Sequence, residues 1–303
     1  MDVGDSWMYR RSTWWYGNVI EIRKSHTHGC NRKGEKRNRS EGVSHLTPEQ
    51  IEKIKEKLRK HNELEAIKEL DRILIANFTP DDQHVVLTYA DGELPTVEES
   101  RKNLSNFLSR VRRFFRKHET EFKYVITTEW NAKRIHHHIV CNSIPGVNMA
   151  KELMRLWGHG GAHLTPLYED KNYNGLAEYL VKETKKTFRD EKNPYRQRYS
   201  CSRNLIRPVP VVKIDKSDSW ARTITVPKSL RDAGYYLDRD SVHTWEDWEG
   251  YMNVEYKFVQ PTPEQLKRER RQQKLNNSYA MKYIEKVKLK DYELEREEDQ
   301  WIR

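Results

Sequence analysis

The order of apolar patterns between residues 84 and 187 is the strongest constraint on the fold. Residues 84–89 (HVVLTY) are β-branched and apolar, which predicts a buried strand. Thr96 and Glu99 then have the spacing of a capping box, which predicts the start of a helix. One face of that helix is apolar at helical spacing, through Leu104, Phe107, Leu108, Val111, Phe114 and Phe115.

Two strand-like runs follow this helix, over residues 122–129 and 135–141, and the few residues between them are short enough for a hairpin. Three further elements are predicted: a helix over 148–157, a strand over 163–168 and a helix over 173–187. The order strand, helix, strand, strand, helix, strand, helix predicts an α+β fold. We expect an antiparallel-biased central sheet with helices packed on it.

The flanking regions differ in composition from this middle block. Thr47-Pro48-Glu49-Gln50 predicts a helix start, and a second helical stretch covers about 63–76. Four parts are therefore predicted: a basic N-terminal strand, loop and helix region over 1–72 that packs on the next domain, a central domain over 73–208, a small strand-rich accessory module over 209–260 and a charged helical tail over 261–303.

Composition indicates a soluble protein with a polyanionic partner. Lys and Arg number 56 against 46 Asp and Glu, a net charge of +10, and nucleic acid is the simplest polyanion to expect. No apolar run approaches the roughly 20 residues that span a bilayer, and the N-terminus lacks the apolar core of a signal peptide. Three scattered cysteines show no metal-type pairing. We expect a bacterial cytoplasmic protein without a membrane partner.

The basic residues are concentrated on either side of the middle block. Residues 101–120 carry seven Lys or Arg against one acidic residue, residues 181–216 carry eleven against four, and the sign reverses over 217–260. A solvated helix face would explain one such run, but three basic runs around one motif-bearing block favour a DNA-facing surface. The candidate DNA-binding residues are Arg110, Arg113, Arg116, Lys186 and Arg203.

A histidine triplet begins the strand at residues 135–141. Because alternate residues of a strand share a face, His136 and His138 point one way and His137 the other. Two imidazoles on one face can chelate one ion, and Glu129 across the hairpin is the candidate third ligand. Such a set suits Mn²⁺ or Mg²⁺. The alternatives are that the histidines only cap a strand end, or that they bind zinc, for which the chain offers no cysteine pair.

The predicted helix over 173–187 carries Tyr179 and Lys182, which are neighbours three residues apart. A free phenol has a pKa of about 10 and is a poor nucleophile. A nearby ammonium group and a metal-bound phosphate would both favour attack by the phenolate. The alternative is a surface tyrosine and lysine on an ordinary helix.

Together these motifs resemble those of the HUH endonucleases. The strand ending in Leu87-Thr88-Tyr89 precedes Glu129, then the His-x-His of His136 and His138, and last the YxxK that begins at Tyr179. Histidines ahead of a single tyrosine are similar to rolling-circle replication initiators of bacterial plasmids, phages or integrative elements. Relaxases usually carry the tyrosine before the histidines. The resemblance covers about 73–208 and implies that this stretch is the catalytic domain.

The resemblance implies a role for each site residue. His136 and His138 would be metal ligands with Glu129 as the third, Tyr179 the nucleophile, and Lys182 a group that supports the site. The family fold is an antiparallel sheet with the histidines on central strands and the tyrosine helix alongside. Family members usually have a bulky apolar residue between the histidines. His137 at that position leaves open which two histidines bind, although alternation favours the outer pair.

The implied function is nicking of single-stranded or hairpin origin DNA through a 5′-phosphotyrosine intermediate, which starts rolling-circle replication. No GxxxxGK[ST] motif occurs, so a host helicase and a replication polymerase are the expected partners. The alternatives are a relaxase or single-tyrosine transposase with the same chemistry, a non-enzymatic DNA-binding regulator, and a metal-dependent nuclease that uses water. The sequence does not indicate an oligomeric state.

Overall fold

The structure, a computed structural model, describes residues 9–26, 47–131, 134–168, 172–188, 198–215, 224–246, 251–262, 266–267 and 271. In this part of the chain the fold is α+β, with two five-stranded antiparallel sheets and five helices. The predicted fold class is therefore confirmed.

The ten strands are β1 (Tyr9–Tyr16), β2 (Val19–His26), β3 (Gln83–Thr88), β4 (Tyr124–Asn131), β5 (Arg134–Cys141), β6 (Ala162–Pro166), β7 (Ser200–Cys201), β8 (Val211–Asp215), β9 (Tyr236–Glu246) and β10 (Met252–Val259). The five helices are α1 (Pro48–Asn77), α2 (Val97–Lys117), α3 (Met149–Trp157), α4 (Asn174–Phe188) and α5 (Lys228–Asp232).

The central sheet has the strand order β6-β3-β5-β4-β7. The predicted hairpin is present as β4 and β5, and β5 also pairs with β3, so the histidine strand lies in the middle of the sheet. A central strand has neighbours on both sides that fix its position. The side chains of β5 are therefore held on a rigid platform.

Helices α2 and α3 cover one face of the central sheet. Thr96 and Glu99 form the predicted capping box of α2, and Phe107, Val111 and Phe115 are fully buried against the sheet. This matches the apolar stripe predicted from the sequence, since residues three to four apart lie on one side of a helix.

Helices α4 and α1 contribute to the core on the opposite face. Leu180 and Val181 of α4 pack with Leu70 of α1 and with Val125 and Val140 of the sheet. Helix α4, which carries Tyr179, is thereby fixed over the face of the sheet that also carries His136 and His138.

The second sheet has the order β8-β1-β2-β10-β9. Strands from residues 209–260 therefore pair with the N-terminal hairpin, because β1 is bonded to β8 and β2 to β10. One sheet thus contains segments far apart in the sequence. The domain boundaries derived from the sequence stay predictions.

Helix α1 corrects one expectation, because the two predicted helical stretches form a single 30-residue helix. No glycine or proline occurs between them to interrupt the backbone. The N-terminal half is mostly exposed and carries ion pairs such as Glu49–Lys53, whose atoms lie 3.0 Å apart. The apolar residues of the C-terminal half are buried.

Residues Pro261–Arg303 form a separate unit that lies almost entirely outside the described residues, and the predicted charged tail falls there. Among the helices that are described, none combines the length and the apolar character needed to cross a membrane.

Candidate active site

Strand register determines which side chains share the site. Glu129 of β4 lies directly opposite His136 of β5, and Thr127 lies opposite His138. Alternate residues of a strand share a face, so Glu129, His136 and His138 project from the same side of the sheet. The structure thus brings together the three residues proposed as metal ligands.

The Glu129 carboxylate lies between the two imidazoles. Its Oε2 atom is 3.8 Å from Nδ1 of His136 and 3.7 Å from Nε2 of His138. His136 and Glu129 are each about a quarter exposed, whereas the His138 side chain is buried. The site is therefore open on the His136 side.

His138 is buried without a hydrogen-bond partner. Both its ring nitrogens are unpaired within the described residues. Burial, with a smaller effect of His136, lowers the pKa of His138 to about 4, so its imidazole is neutral at neutral pH. Buried polar atoms in folded proteins are rarely left unpaired, which makes this ring a site where a further group can bind.

His137 projects to the opposite side of the sheet and is fully buried. Its Nε2 lies 3.2 Å from Oγ of Ser100 and its Nδ1 lies 3.0 Å from Oγ1 of Thr128. Burial, followed by the nearby His138 and His136, lowers its pKa to about 3. With both nitrogens engaged away from the site, His137 ties β5 to β4 and α2. This supports the outer histidines as the candidate ligands.

The donor set of Glu129, His136 and His138 fits a divalent ion. Two neutral imidazole nitrogens and a carboxylate oxygen are ligands that Mn²⁺ accepts, and the unpaired nitrogens of His138 would be satisfied by it. Still, across the described ranges no three His, Cys, Asp or Glu side chains meet the geometry of a metal site. Binding would therefore need these three side chains to draw closer than 3.7 and 3.8 Å.

Tyr179 lies on α4 directly over the buried histidine. Its ring centroid is 5.4 Å from that of His138, with the two ring planes at 83°. The side chain is 42% exposed, so its phenol is accessible from outside. The predicted nucleophile and the predicted metal ligands are thus neighbours, although more than 40 residues separate them in the sequence.

His84 of β3 is a site residue that the sequence reasoning missed. Its ring lies 5.6 Å from that of His138 and 6.2 Å from that of Tyr179, and its Nε2 is buried and unpaired within the described residues. Burial, then His138 and His163, lowers its pKa to about 4. Strand alternation places His84 and Thr88 on one face, but only the pairing of β3 with β5 reveals its neighbours.

The two lysines of α4 have different standing. Lys182 forms an ion pair with Glu178 on the same helix and is about half exposed. The structure therefore shows it beside Tyr179 in sequence but bonded to another residue. The side chain of Lys186 lies outside the described residues.

The candidate DNA-binding arginines separate into two groups. Arg110 is half-buried and donates a hydrogen bond to the Trp157 carbonyl oxygen at 3.3 Å, so it joins α2 to α3. Arg113, Arg116 and Arg203 are exposed. Arg116 and Arg203, 87 residues apart, line the same cavity.

One comparison with known proteins gives a match. The family model described as replication-associated protein ORF2 matches residues 82–188. No curated protein and no solved structure matches significantly. The matched stretch runs from the start of β3 to the end of α4 and contains His84, Glu129, His136, His138 and Tyr179. The match covers a little over a third of the chain and supports a replication initiator.

Proposed function

We propose that the chain is a replication initiator that nicks single-stranded or hairpin origin DNA, with Tyr179 as the nucleophile. The observation that carries this proposal is the packing of Tyr179 against His138, whose Nε2 lies 3.7 Å from the Glu129 carboxylate. These residues all lie in the stretch similar to replication-associated proteins.

The proposed reaction is a transfer of one phosphodiester from DNA to tyrosine. The Tyr179 oxygen attacks phosphorus and forms a new P–O bond, while the bond from phosphorus to the 3′ oxygen breaks. The phenolic proton passes to water, which reaches the exposed phenol, and the departing 3′ oxygen takes a proton from water. The products are a 5′-phosphotyrosyl adduct and a free 3′-hydroxyl that primes synthesis. Attack by a 3′-hydroxyl reverses the step and joins strands.

The surrounding residues hold the reacting groups in place. A Mn²⁺ or Mg²⁺ ion held by Glu129, His136 and His138 would polarise a phosphate oxygen. The rings of His84 and His138 confine Tyr179 from below, so that little reorientation is needed before attack. Lys182, one turn along α4, adds positive charge near the phosphate.

The test is covalent trapping on a denaturing gel. Purified protein with Mn²⁺ and single-stranded DNA labelled at the 3′ end should give a labelled band of protein size. Chelator should abolish this band, and so should Tyr179→Phe, which removes only the phenolic oxygen. Tyr168→Phe is the matched control, because Tyr168 is also exposed but lies outside α4, and it should retain the band.

Cleavage without an adduct would replace tyrosine attack with attack by water. An adduct that survives in Tyr179→Phe would show that another tyrosine is the nucleophile. DNA binding without cleavage or adduct would leave only a DNA-binding protein.

A further inference from the structure

A cavity of about 720 Å³ lies between the C-terminal half of α2 and the chain that follows β7. Arg112 and Arg116 come from the helix, and Arg203 and Asn204 from the other side. Phe122 and Tyr124 also line it, and their burial against the core makes this part of the wall rigid. The cavity is thus built on fixed elements rather than on an isolated loop.

The three arginines are presented differently. Arg112 donates a hydrogen bond to the Tyr124 hydroxyl at 2.6 Å, and its guanidinium lies 5.5 Å from the centre of that ring. Arg116 and Arg203 are exposed, and neither forms an ion pair with any residue that the structure describes. These two guanidinium groups are therefore available to an anion.

Two carboxylates at the cavity, Glu119 and Glu121, limit what can bind. Glu121 accepts a hydrogen bond from Asn204 at 3.2 Å, which turns that carboxylate towards a protein partner. Three arginines against two glutamates leave a net positive charge. A phosphodiester, with a single negative charge, suits this balance, and arginine forks match phosphate oxygens well.

The cavity is separate from the candidate active site. Tyr124 begins β4 and Glu129 comes five residues later, a distance of about 17 Å along a strand. Tyr124 also projects towards α2, whereas Glu129 projects from the opposite face. A single phosphate could not occupy both places.

We infer that this cavity binds the phosphate backbone of a DNA segment outside the nick, through Arg116 and Arg203. The inference rests on the proposed function, since it assumes that DNA is the substrate. DNA would pass from Tyr179 around the short edge strand β7 to reach the cavity. At about 3.4 Å of rise per nucleotide, the separation corresponds to roughly five or six nucleotides. DNA must therefore extend at least that far on one side of the nick to make the contact.

The experiment compares two double variants that lose the same charge. Arg116→Gln with Arg203→Gln alters the cavity, and Lys102→Gln with Arg155→Gln removes two exposed cations elsewhere. Binding is measured against salt concentration in a Tyr179→Phe background, with one oligonucleotide of about eight nucleotides centred on the nick and one extended well beyond it on both sides.

We expect the cavity variant to bind the long DNA at least about tenfold more weakly. Its plot of log affinity against log salt should be shallower by about 1.4, since each single-strand phosphate contact contributes about 0.7. Its binding of the short DNA should equal that of the control pair. Equal slopes for the two variants on long DNA would overturn the inference.

Failure of the inference differs from failure of the proposed function. With Tyr179 restored, an adduct on the short DNA together with equal salt slopes would reject the cavity and keep the nicking reaction. A slope difference without an adduct in the unaltered protein would keep the cavity as a DNA site and reject nicking by Tyr179.

Discussion

Burial keeps the imidazoles closest to Tyr179 neutral. Removal from water lowers the pKa of His84 and of His138 to about 4, so neither ring is charged near neutral pH. Neutral rings can act as ligands or as packing surfaces, whereas two buried cations side by side would repel each other. The phenol of Tyr179 is therefore positioned mainly by ring contacts.

The contribution of His84 can be measured separately from DNA binding. His84→Ala removes one wall beside Tyr179, and we expect the single-turnover nicking rate to fall about tenfold while DNA affinity stays unchanged. His84→Phe restores the ring and should recover most of the rate. His163→Ala, an exposed histidine on the next strand of the same face, is the control. An unchanged rate in His84→Ala would refute the positioning role.

Part of the site could be predicted from sequence because strand alternation is a local property. It placed His136 and His138 on one face, and the hairpin brought Glu129 opposite. His84 could not be predicted, because its proximity to His138 depends on β3 pairing with β5 across more than 50 residues. The pairing of Lys182 with Glu178 likewise depends on side-chain packing that the motif does not specify.

Among the elements, α1 is joined to the second sheet by buried charges. Arg72 donates to Oε2 of Glu21 at 2.9 Å, and Tyr16 donates to the same carboxylate at 2.7 Å. Burial alone would raise the pKa of Glu21, but the hydrogen bonds and charge of Arg72 lower it. Arg72 also lies 4.1 Å from the centre of the Trp14 ring. The N-terminal hairpin is thus attached to the helix through a paired charge.

Removing one partner of this pair should be costly. Arg72→Met leaves the Glu21 carboxylate buried without its cation, and we expect the free energy of unfolding to fall by about 3–5 kcal/mol. The double variant Glu21→Gln with Arg72→Met should recover part of this loss. Arg155→Met, which breaks an exposed pair with Glu152, should change stability by less than about 1 kcal/mol. Chemical denaturation checks all three, and equal losses for Arg72→Met and Arg155→Met would contradict this view.

Element types were largely predictable, but their assembly was not. The apolar stripe of α2 and the β-branched run of β3 are local signals, and both elements are present. Strand β1 has no clear alternation, because Trp14 and Trp15 lie among polar residues, and it went unassigned. The sheet that joins β1 to β8 and β2 to β10 pairs residues about 200 positions apart, which no local pattern reveals.

For the whole molecule, buried neutral histidines predict a loss of stability in mild acid. His84, His137 and His138 have pKa values of about 4, 3 and 4 in the folded chain, below the value of about 6.5 for an unfolded histidine. Between these values the unfolded chain binds more protons than the folded one. Stability is therefore complete above about pH 6.5 and falls as the pH drops towards 4.

His137→Gln tests this dependence, because glutamine is neutral and can still hydrogen-bond to Ser100 and Thr128. From pH 7 to pH 5, with chelator present, the unaltered protein should lose about 2 kcal/mol more stability than the variant. Denaturant titrations at the two pH values provide the measurement. The same pH dependence in both proteins would show that His137 is not held neutral by folding.

The most direct test of the central claim is the identity of the tyrosine that carries DNA. The chain has 16 tyrosines, so proteolysis of the adduct followed by mass spectrometry is decisive. We expect the nucleotide mass on the peptide that contains Tyr179, and on no other. A nucleotide attached to any other tyrosine, or a nicked strand with no modified peptide, would contradict the account.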